Sequence, residues 1–296
     1  MKKVIAIVGP TAIGKTKISI EIAKHYNLDI ISADSVAVYK KLDIGSAKPT
    51  REEMDGVKHY LIDDLEPSMQ YDVELFQRKA REIIDNNNPI ILAGGTGLYV
   101  QSVLFDYQFE AQKRDKSFEE KYKDLSNEKL YKVLIEKDSS VENRIHPNNR
   151  KRILRALEIL NDTNSSVTSY DGKNTPYYDS YIIYLNVGNR DVLYNRINKR
   201  VDKMISDGLL DEVKELYDEG IMPHAIGYKE FIPYFEGKIS LSDVVEEIKK
   251  NSRHLAKRQM TWFKNQMPTH FYEVNLDNIF ETINNIIIDL DKFLGA

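Results

Sequence analysis

Residues Gly9, Pro10, Thr11, Ala12, Ile13, Gly14, Lys15 and Thr16 spell the phosphate-loop pattern G-x-x-x-x-G-K-[ST] with every fixed position filled. The apolar run 4–8 precedes the octapeptide and the helix-like stretch 17–26 follows it, which is the strand-to-turn-to-helix setting that such a loop requires. A chance glycine turn is the competing explanation, and four fixed positions in the right context weigh against it. Glycines let backbone N–H groups curl around an anion, the Lys15 ammonium reaches terminal phosphates, and the Thr16 hydroxyl is a candidate ligand for Mg²⁺.

Alternating strands and helices surround the loop. Strands are expected at 3–8, 28–32, 58–62 and 89–93, with helices at 15–26, 72–86 and 96–104. That alternation predicts an α/β fold, a P-loop NTPase-like parallel sheet flanked by helices. From 109 to 176 strand signals vanish, and a charged segment with helices at 126–136 and 147–161 reads as an inserted helical lobe. Core elements return with a strand at 181–187, a helix at 191–206 and a mostly helical C-terminal part with a short strand at 270–274. The domain expectation is therefore a core of 1–108 and 177–296 carrying a lobe of 109–176.

ATP-hydrolysing motors end a second apolar strand in an Asp that serves Mg²⁺. Here the strand at 89–93 runs into Gly94-Gly95-Thr96-Gly97 instead, and the carboxylate, Asp34, follows the apolar segment 28–32. In a doubly wound sheet the carboxyl ends of neighbouring strands open onto one crevice, so Asp34, Thr96 and the phosphate loop should face a common site. Asp34 is then placed to accept a proton from an attacking group or to orient it. Capping a helix that begins near Ser35 is its other ordinary use. Arg200, on the helix at 191–206, is a candidate clamp over phosphates, with plain surface charge as the alternative.

Hydrophobic and charged contents of 42% and 30% are those of a globular chain able to bury a large core. Without cysteine there are neither disulfides nor thiolate metal sites, and a cytoplasmic location is expected. The first residues are too short an apolar run for a secretory leader, and no stretch has the length to cross a bilayer. A net charge of −4 argues against indiscriminate nucleic-acid binding, yet the cations are segregated. Residues 144–155 hold five Lys or Arg and no acid; residues 249–264 hold six and no acid, interleaved with Trp262 and Phe263. On one helix over 240–266, capped through Ser240 and Asp243, Lys250, Arg253, Lys257, Thr261 and Lys264 would form a basic stripe. Confined stripes favour a shaped RNA over any phosphate rod, against the alternative of a solvated helix face. The six histidines show no metal-ligand spacing.

The phosphate loop, Ser32-Ala-Asp-Ser35 with Val38-Tyr39, Asp43-Ile-Gly-Ser-Ala-Lys-Pro49, Gly94-Gly-Thr-Gly-Leu-Tyr99, Ile145-His-Pro-Asn-Asn-Arg-Lys-Arg-Ile-Leu-Arg-Ala-Leu157, Ala225-Ile-Gly-Tyr228 and Leu255-Ala-Lys-Arg-Gln259 together resemble the bacterial tRNA dimethylallyltransferases. The resemblance runs from residue 4 to about residue 263. It implies transfer of a dimethylallyl group from dimethylallyl diphosphate to the N6 amine of the adenosine beside the anticodon in tRNA, with diphosphate released and Mg²⁺ assisting. It also implies Asp34, Thr11 and Arg200 as catalytic groups and residues Gly9 to Thr16 as the diphosphate cradle. By the same resemblance, Asp34, Ser35, Val36, Ala37, Thr96, Lys151, Arg152, Arg155, Gly227, Tyr228, Lys257, Arg258 and Gln259 contact tRNA. Ala37 stands where members often carry Gln, which leaves backbone contacts for that position.

Overall fold

In the computed structural model, residues 1–107, 109, 116–142, 144–163 and 175–295 are described. The chain divides into two compact units, one formed by Met1–Phe105 with Pro176–Ala296 and the other by Asp106–Thr175.

The first unit is built on a six-stranded sheet, every pairing parallel. Its strands are β1 (Lys3–Val8), β2 (Ile30–Ser32), β3 (His59–Tyr60), β4 (Ile90–Gly94), β5 (Asp179–Asn186) and β6 (His270–Glu273), in the order β3-β2-β4-β1-β5-β6. Central β1 is buried on both faces, which explains its unbroken apolar sequence. Val4, Ala6 and Val8 point into one core with Phe76, Ala80, Val100 and Val103. Ile5 and Ile7 point into the other with Ile18, Ile22, Ile283 and Ile286. Helices α3 (Val73–Asn86) and α4 (Gly97–Leu104) thus cover one face, and α1 (Lys15–Tyr26) and α12 (Ile279–Leu294) the other. Truncating a fully buried Ile such as Ile5 to Ala would cost about 2–5 kcal/mol, because the transfer loss and the cavity add.

The remaining helices of this unit are α2 (Arg51–Met54), α8 (Arg190–Ser206), α9 (Leu209–Asp218), α10 (Ile232–Phe235) and α11 (Leu241–Gln266). A third core, with Leu42, Val201, Val213, Tyr228, Phe231 and Ile248, joins α8, α9 and α11 to the loop after β2. The long helix α11 begins with the anticipated capping box between Ser240 and Asp243. No helix begins near Ser35, the setting that the capping alternative for Asp34 needed; residues 35–47 are irregular, with bends, turns and one isolated bridge at Tyr39.

In the second unit, α6 (Asn127–Lys137), capped by Ser126, packs on α7 (Arg150–Thr163) through Leu130, Leu134, Ile153, Leu154 and Leu157. The short α5 (Lys116–Lys121) leads into a turn closed by Arg150, whose guanidinium donates to the carbonyl oxygen of Leu125 at 2.6 Å. Among the described residues, no helix is long and apolar enough to cross a membrane.

Candidate active site

The carboxyl ends of β1, β2 and β4 open onto a cavity of about 670 Å³. The phosphate loop forms one side. Gly9 holds φ 156°, and a Cβ there would lie 2.6 Å from the Leu185 carbonyl oxygen, so only glycine lets β1 turn this close to β5. Gly14, at φ 105°, is the N-cap of α1 and offers no side chain to the first-turn N–H groups. Those donors and the helix dipole are left for an anion in the cavity.

Cations gather around the loop. Lys15 Nζ donates to the carbonyl oxygens of Gly9, at 3.0 Å, and Pro10, at 2.7 Å. Its pKa falls to about 7, chiefly through burial, with the neighbouring Arg200 acting in the same direction and Asp34 opposing the shift. Arg196 and Arg200 lie one turn apart on α8 and so share a face. Arg200 Nη1 donates to Thr11 Oγ1 at 3.1 Å and Arg196 Nε to the Ala12 carbonyl oxygen at 3.0 Å. Burial also pulls the Arg200 pKa downward, against Asp34 and Glu53, which favour its charge. The cluster is poised for a multiply charged anion: Lys15 and Arg200 are half-buried close together and, among the described residues, neither is in an ion pair. Thr16 lines the same cavity, and its side chain is available there.

Asp34 faces the loop from the end of β2, with Ser35, Val36 and Ala37 beside it in the cavity wall. Its Oδ1 accepts from the backbone N–H of Val36 at 2.8 Å and of Ala37 at 3.2 Å. The capping use is therefore real, but it holds a turn rather than a helix. Only one carboxylate oxygen is spent on it; among the described residues nothing donates to Oδ2. Gly94 and Gly95 reach the cavity from the end of β4, whereas Thr96 is not among the residues lining it. The Thr96 backbone N–H is tied to the Ala33 carbonyl oxygen at 3.3 Å, and its hydroxyl makes no capping bond to α4.

The rest of this wall, 43–49, has no regular structure and is held by side chains from elsewhere. Glu212 on α9 accepts from the N–H groups of Asp43 (3.0 Å), Ile44 (2.7 Å) and Gly45 (3.0 Å), and from the Tyr228 hydroxyl (2.8 Å). Tyr228 is fully buried beneath Gly45, where a Cβ would come within 2.5 Å of its ring. This corrects the expectation that Tyr228 touches tRNA: its side chain is a brace for the wall. Gly227 does line the cavity, and Glu230, itself buried, accepts its N–H at 2.9 Å. Lys48 adds ion pairs to Asp43 and Asp63 and donates to the Tyr39 carbonyl oxygen at 3.0 Å. Sequence reasoning does not single out Glu212, Glu230, Lys48 or Arg196. Glu212 sits in an ordinary amphipathic helix, and nothing local marks it.

The basic runs are also partly redistributed. On α11, Lys249 pairs with Asp202 and Glu246, Lys250 pairs with Glu247, and Arg253 donates to Asn198 at 2.7 Å. Phe263 is buried in the core. Lys257, Arg258 and Lys264 remain exposed, so the free cations occupy only the C-terminal half of the anticipated stripe. On α7, Lys151 and Arg152 are exposed, while Arg155 binds Glu158 at 2.7 Å within its own helix. Gln259, expected at the RNA surface, has its side chain turned into the cavity. Its Oε1 accepts from the Thr11 N–H at 2.8 Å and its Nε2 donates to the Gly95 carbonyl oxygen at 3.0 Å.

A phosphate loop with two arginines above it, a half-free carboxylate opposite and a neighbouring strand, β4, that ends in glycine rather than an acid define a P-loop-type group-transfer protein acting on a phosphorylated donor. The chain belongs to the IPP transferase family, whose model matches residues 37–266. A tRNA dimethylallyltransferase of Anoxybacillus flavithermus is 44% identical over 97% of this chain and 95% of its own length. The crystal structure of a tRNA isopentenylpyrophosphate transferase from Staphylococcus epidermidis superposes with a TM-score of 0.74 at 42% identity, covering 99% of this chain and all of that one. A eukaryotic dimethylallyltransferase captured acting on tRNA superposes with a TM-score of 0.83 at 27% identity, covering the whole of this chain and 80% of its own.

Proposed function

We propose that the protein transfers the dimethylallyl group of dimethylallyl diphosphate to the N6 amine of the adenosine next to the anticodon in tRNA. The bond from the allylic carbon to the diphosphate oxygen breaks, with its electron pair leaving on diphosphate. A bond from N6 to that carbon forms, and Asp34 Oδ2 takes the proton that N6 gives up. The observation that carries this reading is the placing of Asp34 across one cavity from Thr11, Lys15 and Arg200, in a chain whose relatives of nearly equal length are tRNA dimethylallyltransferases.

Charge develops on the departing diphosphate, and the loop N–H groups, Lys15 and Arg200 are fixed in advance around its position, which is where electrostatic stabilisation is most effective. An adenine amine is a weak nucleophile, so holding it in line with the allylic carbon supplies much of the remaining rate. Mg²⁺ fits this arrangement through Thr16. Among the described residues no three His, Asp or Glu side chains gather to hold a metal, so the diphosphate and water would complete its shell, as suits that ion. Bound there, it would neutralise charge on the leaving group.

The exposed Lys257, Arg258 and Lys264 of the first unit, and separately the exposed Lys151 and Arg152 of the second, are cations able to receive phosphates of the anticodon stem-loop. Exposed cations of this kind favour tRNA over free adenine nucleotides as acceptor. Mass spectrometry of tRNA nucleosides after incubation with the chain and dimethylallyl diphosphate tests donor, acceptor and product together. Prenylated adenosine and diphosphate in equal amounts, without ATP consumption, are expected. Phosphorylation of an acceptor would mark a kinase instead, and equal activity on AMP a nucleotide prenyltransferase.

A further inference from the structure

Resting on the prenyl-transfer reading, we propose that Gln259 is a positioning residue for the reaction, a strap that holds the diphosphate grip in register with the loop beneath the incoming base. Its carboxamide is used twice, and each time by backbone. The acceptor end takes the Thr11 N–H at 2.8 Å and the donor end takes the Gly95 carbonyl oxygen at 3.0 Å. Thr11 and Gly95 follow β1 and β4, strands paired side by side in the sheet, so one side chain spans the two loops that close this end of the cavity.

One end of the strap meets the Arg200 grip and the other the cavity wall. Thr11 is the residue whose hydroxyl accepts from Arg200, and the Gly95 peptide stands between Gly94, at the end of β4, and Thr96. The base of the strap is rigid, because Ala256, one turn back on the same face, and the adjacent Met260 are buried in the sheet core. Lys257 and Arg258, exposed on that turn, immediately precede Gln259. A single turn of α11 therefore carries cations outward and the strap inward, so RNA seated outside and diphosphate held inside refer to one rigid element.

Gly95 supplies the second observation. Its backbone is not in the left-handed region, so nothing in its conformation demands glycine; what demands it is space, since a Cβ there would lie 2.4 Å from Gln259 Nε2. The clashing atom is the far end of a flexible side chain. A methyl group at 95 therefore displaces the carboxamide while leaving the loop able to fold, and opens the strap from its other end.

Transfer requires the allylic carbon and the amine in line at near-contact distance, and a misplacement of about 1 Å can cost roughly 10²-fold in rate. The test compares Gln259→Leu, Gly95→Ala and Gln259→Glu by steady-state kinetics with tRNA and dimethylallyl diphosphate, together with equilibrium binding of inorganic diphosphate and of tRNA. Both strap-opening variants are expected to lose about 10- to 100-fold in kcat while each binding constant shifts by less than about threefold. Gln259→Glu keeps the acceptor for the Thr11 N–H and is expected to recover part of kcat. A raised KM for tRNA with kcat unchanged would make Gln259 a direct RNA contact and overturn the proposal, and so would an equal fall in both binding constants with a lowered Tm. Wild-type prenylation with kcat unaltered in both variants overturns the strap alone, whereas no prenylation by the wild type overturns the reaction itself.

Discussion

The two sides of the cavity are built by opposite means. The proposed donor side is one contiguous loop, residues 9–16, positioned by the end of one strand and the start of one helix. The acceptor side is an irregular chain from Asp34 to Pro49 whose polar groups are taken up by Glu212, Lys48 and Asp34 itself and by backbone bonds to residues 63–65, with Tyr228 packed beneath it. A local signal suffices to specify the first. The second is a hydrogen-bond network closed by residues far away in the chain, such as Glu212, 169 positions from Asp43.

The sharpest way to break this contrast is Asp34→Asn, because the amide oxygen keeps the bonds from Val36 and Ala37 and so preserves the wall while removing the base. Turnover is expected to fall at least ~10²-fold with tRNA affinity unchanged. Full activity would reduce Asp34 to a turn cap and leave the acceptor side with a purely structural role.

On the donor side the expected effect is a pH dependence. Lys15 titrates near pH 7 in the ligand-free protein, and an anion beside it must raise that value, so diphosphate binding takes up a proton above pH 7. Relative to Lys15→Arg, the dissociation constant for inorganic diphosphate should rise about tenfold per pH unit above 7, until the pKa of the bound state is reached. Calorimetry in buffers of different ionisation enthalpy reads the proton directly. For folding the sign is the reverse of a stabilising lysine: between about 7 and 10.5 the unfolded chain binds more protons at this site, so stability from Lys15 rises with pH across that window.

The salt dependence of tRNA binding sharpens the comparison at the surface. Arg258→Ala and Arg152→Ala should each lower the slope of log K against log salt by about one unit. Arg253→Ala and Arg155→Ala should lower it less, because Asn198 and Glu158 already engage those guanidinium groups. Equal slopes for all four variants would mean that RNA competes successfully for the paired arginines.

The smallest effect is expected at Tyr228→Phe, which removes one hydrogen bond to Glu212 and keeps the ring beneath Gly45. A loss of about 1 kcal/mol in urea unfolding, with no change in the salt slope, would fit a brace. A changed slope would return Tyr228 to the RNA surface.

Much of the fold is legible in the amino-acid sequence. Central strand β1, helices α3 and α4, and the long capped α11 follow from apolar periodicity and cap residues, which act over a few residues. The capping alternative for Asp34 is realised in a turn, where its N–H partners lie two and three residues on, a use the sequence does not distinguish from a helix cap. The absence of acids within a basic run likewise misleads, since Lys249 pairs with Glu246 just before the run and with Asp202 on α8, and Arg253 with Asn198 on α8.

The sequence by itself determined that a phosphate-loop turn follows the first strand, because that turn is made of contiguous backbone and glycine permissiveness. Tertiary structure alone decided which cations stay free for RNA, that Tyr228 and Glu212 brace the acceptor wall, and that Gln259 reaches inward to Thr11 and Gly95. Those outcomes depend on which polar groups meet across the sheet and its helices, and a hydrogen bond between distant residues exists only once the core has brought them together.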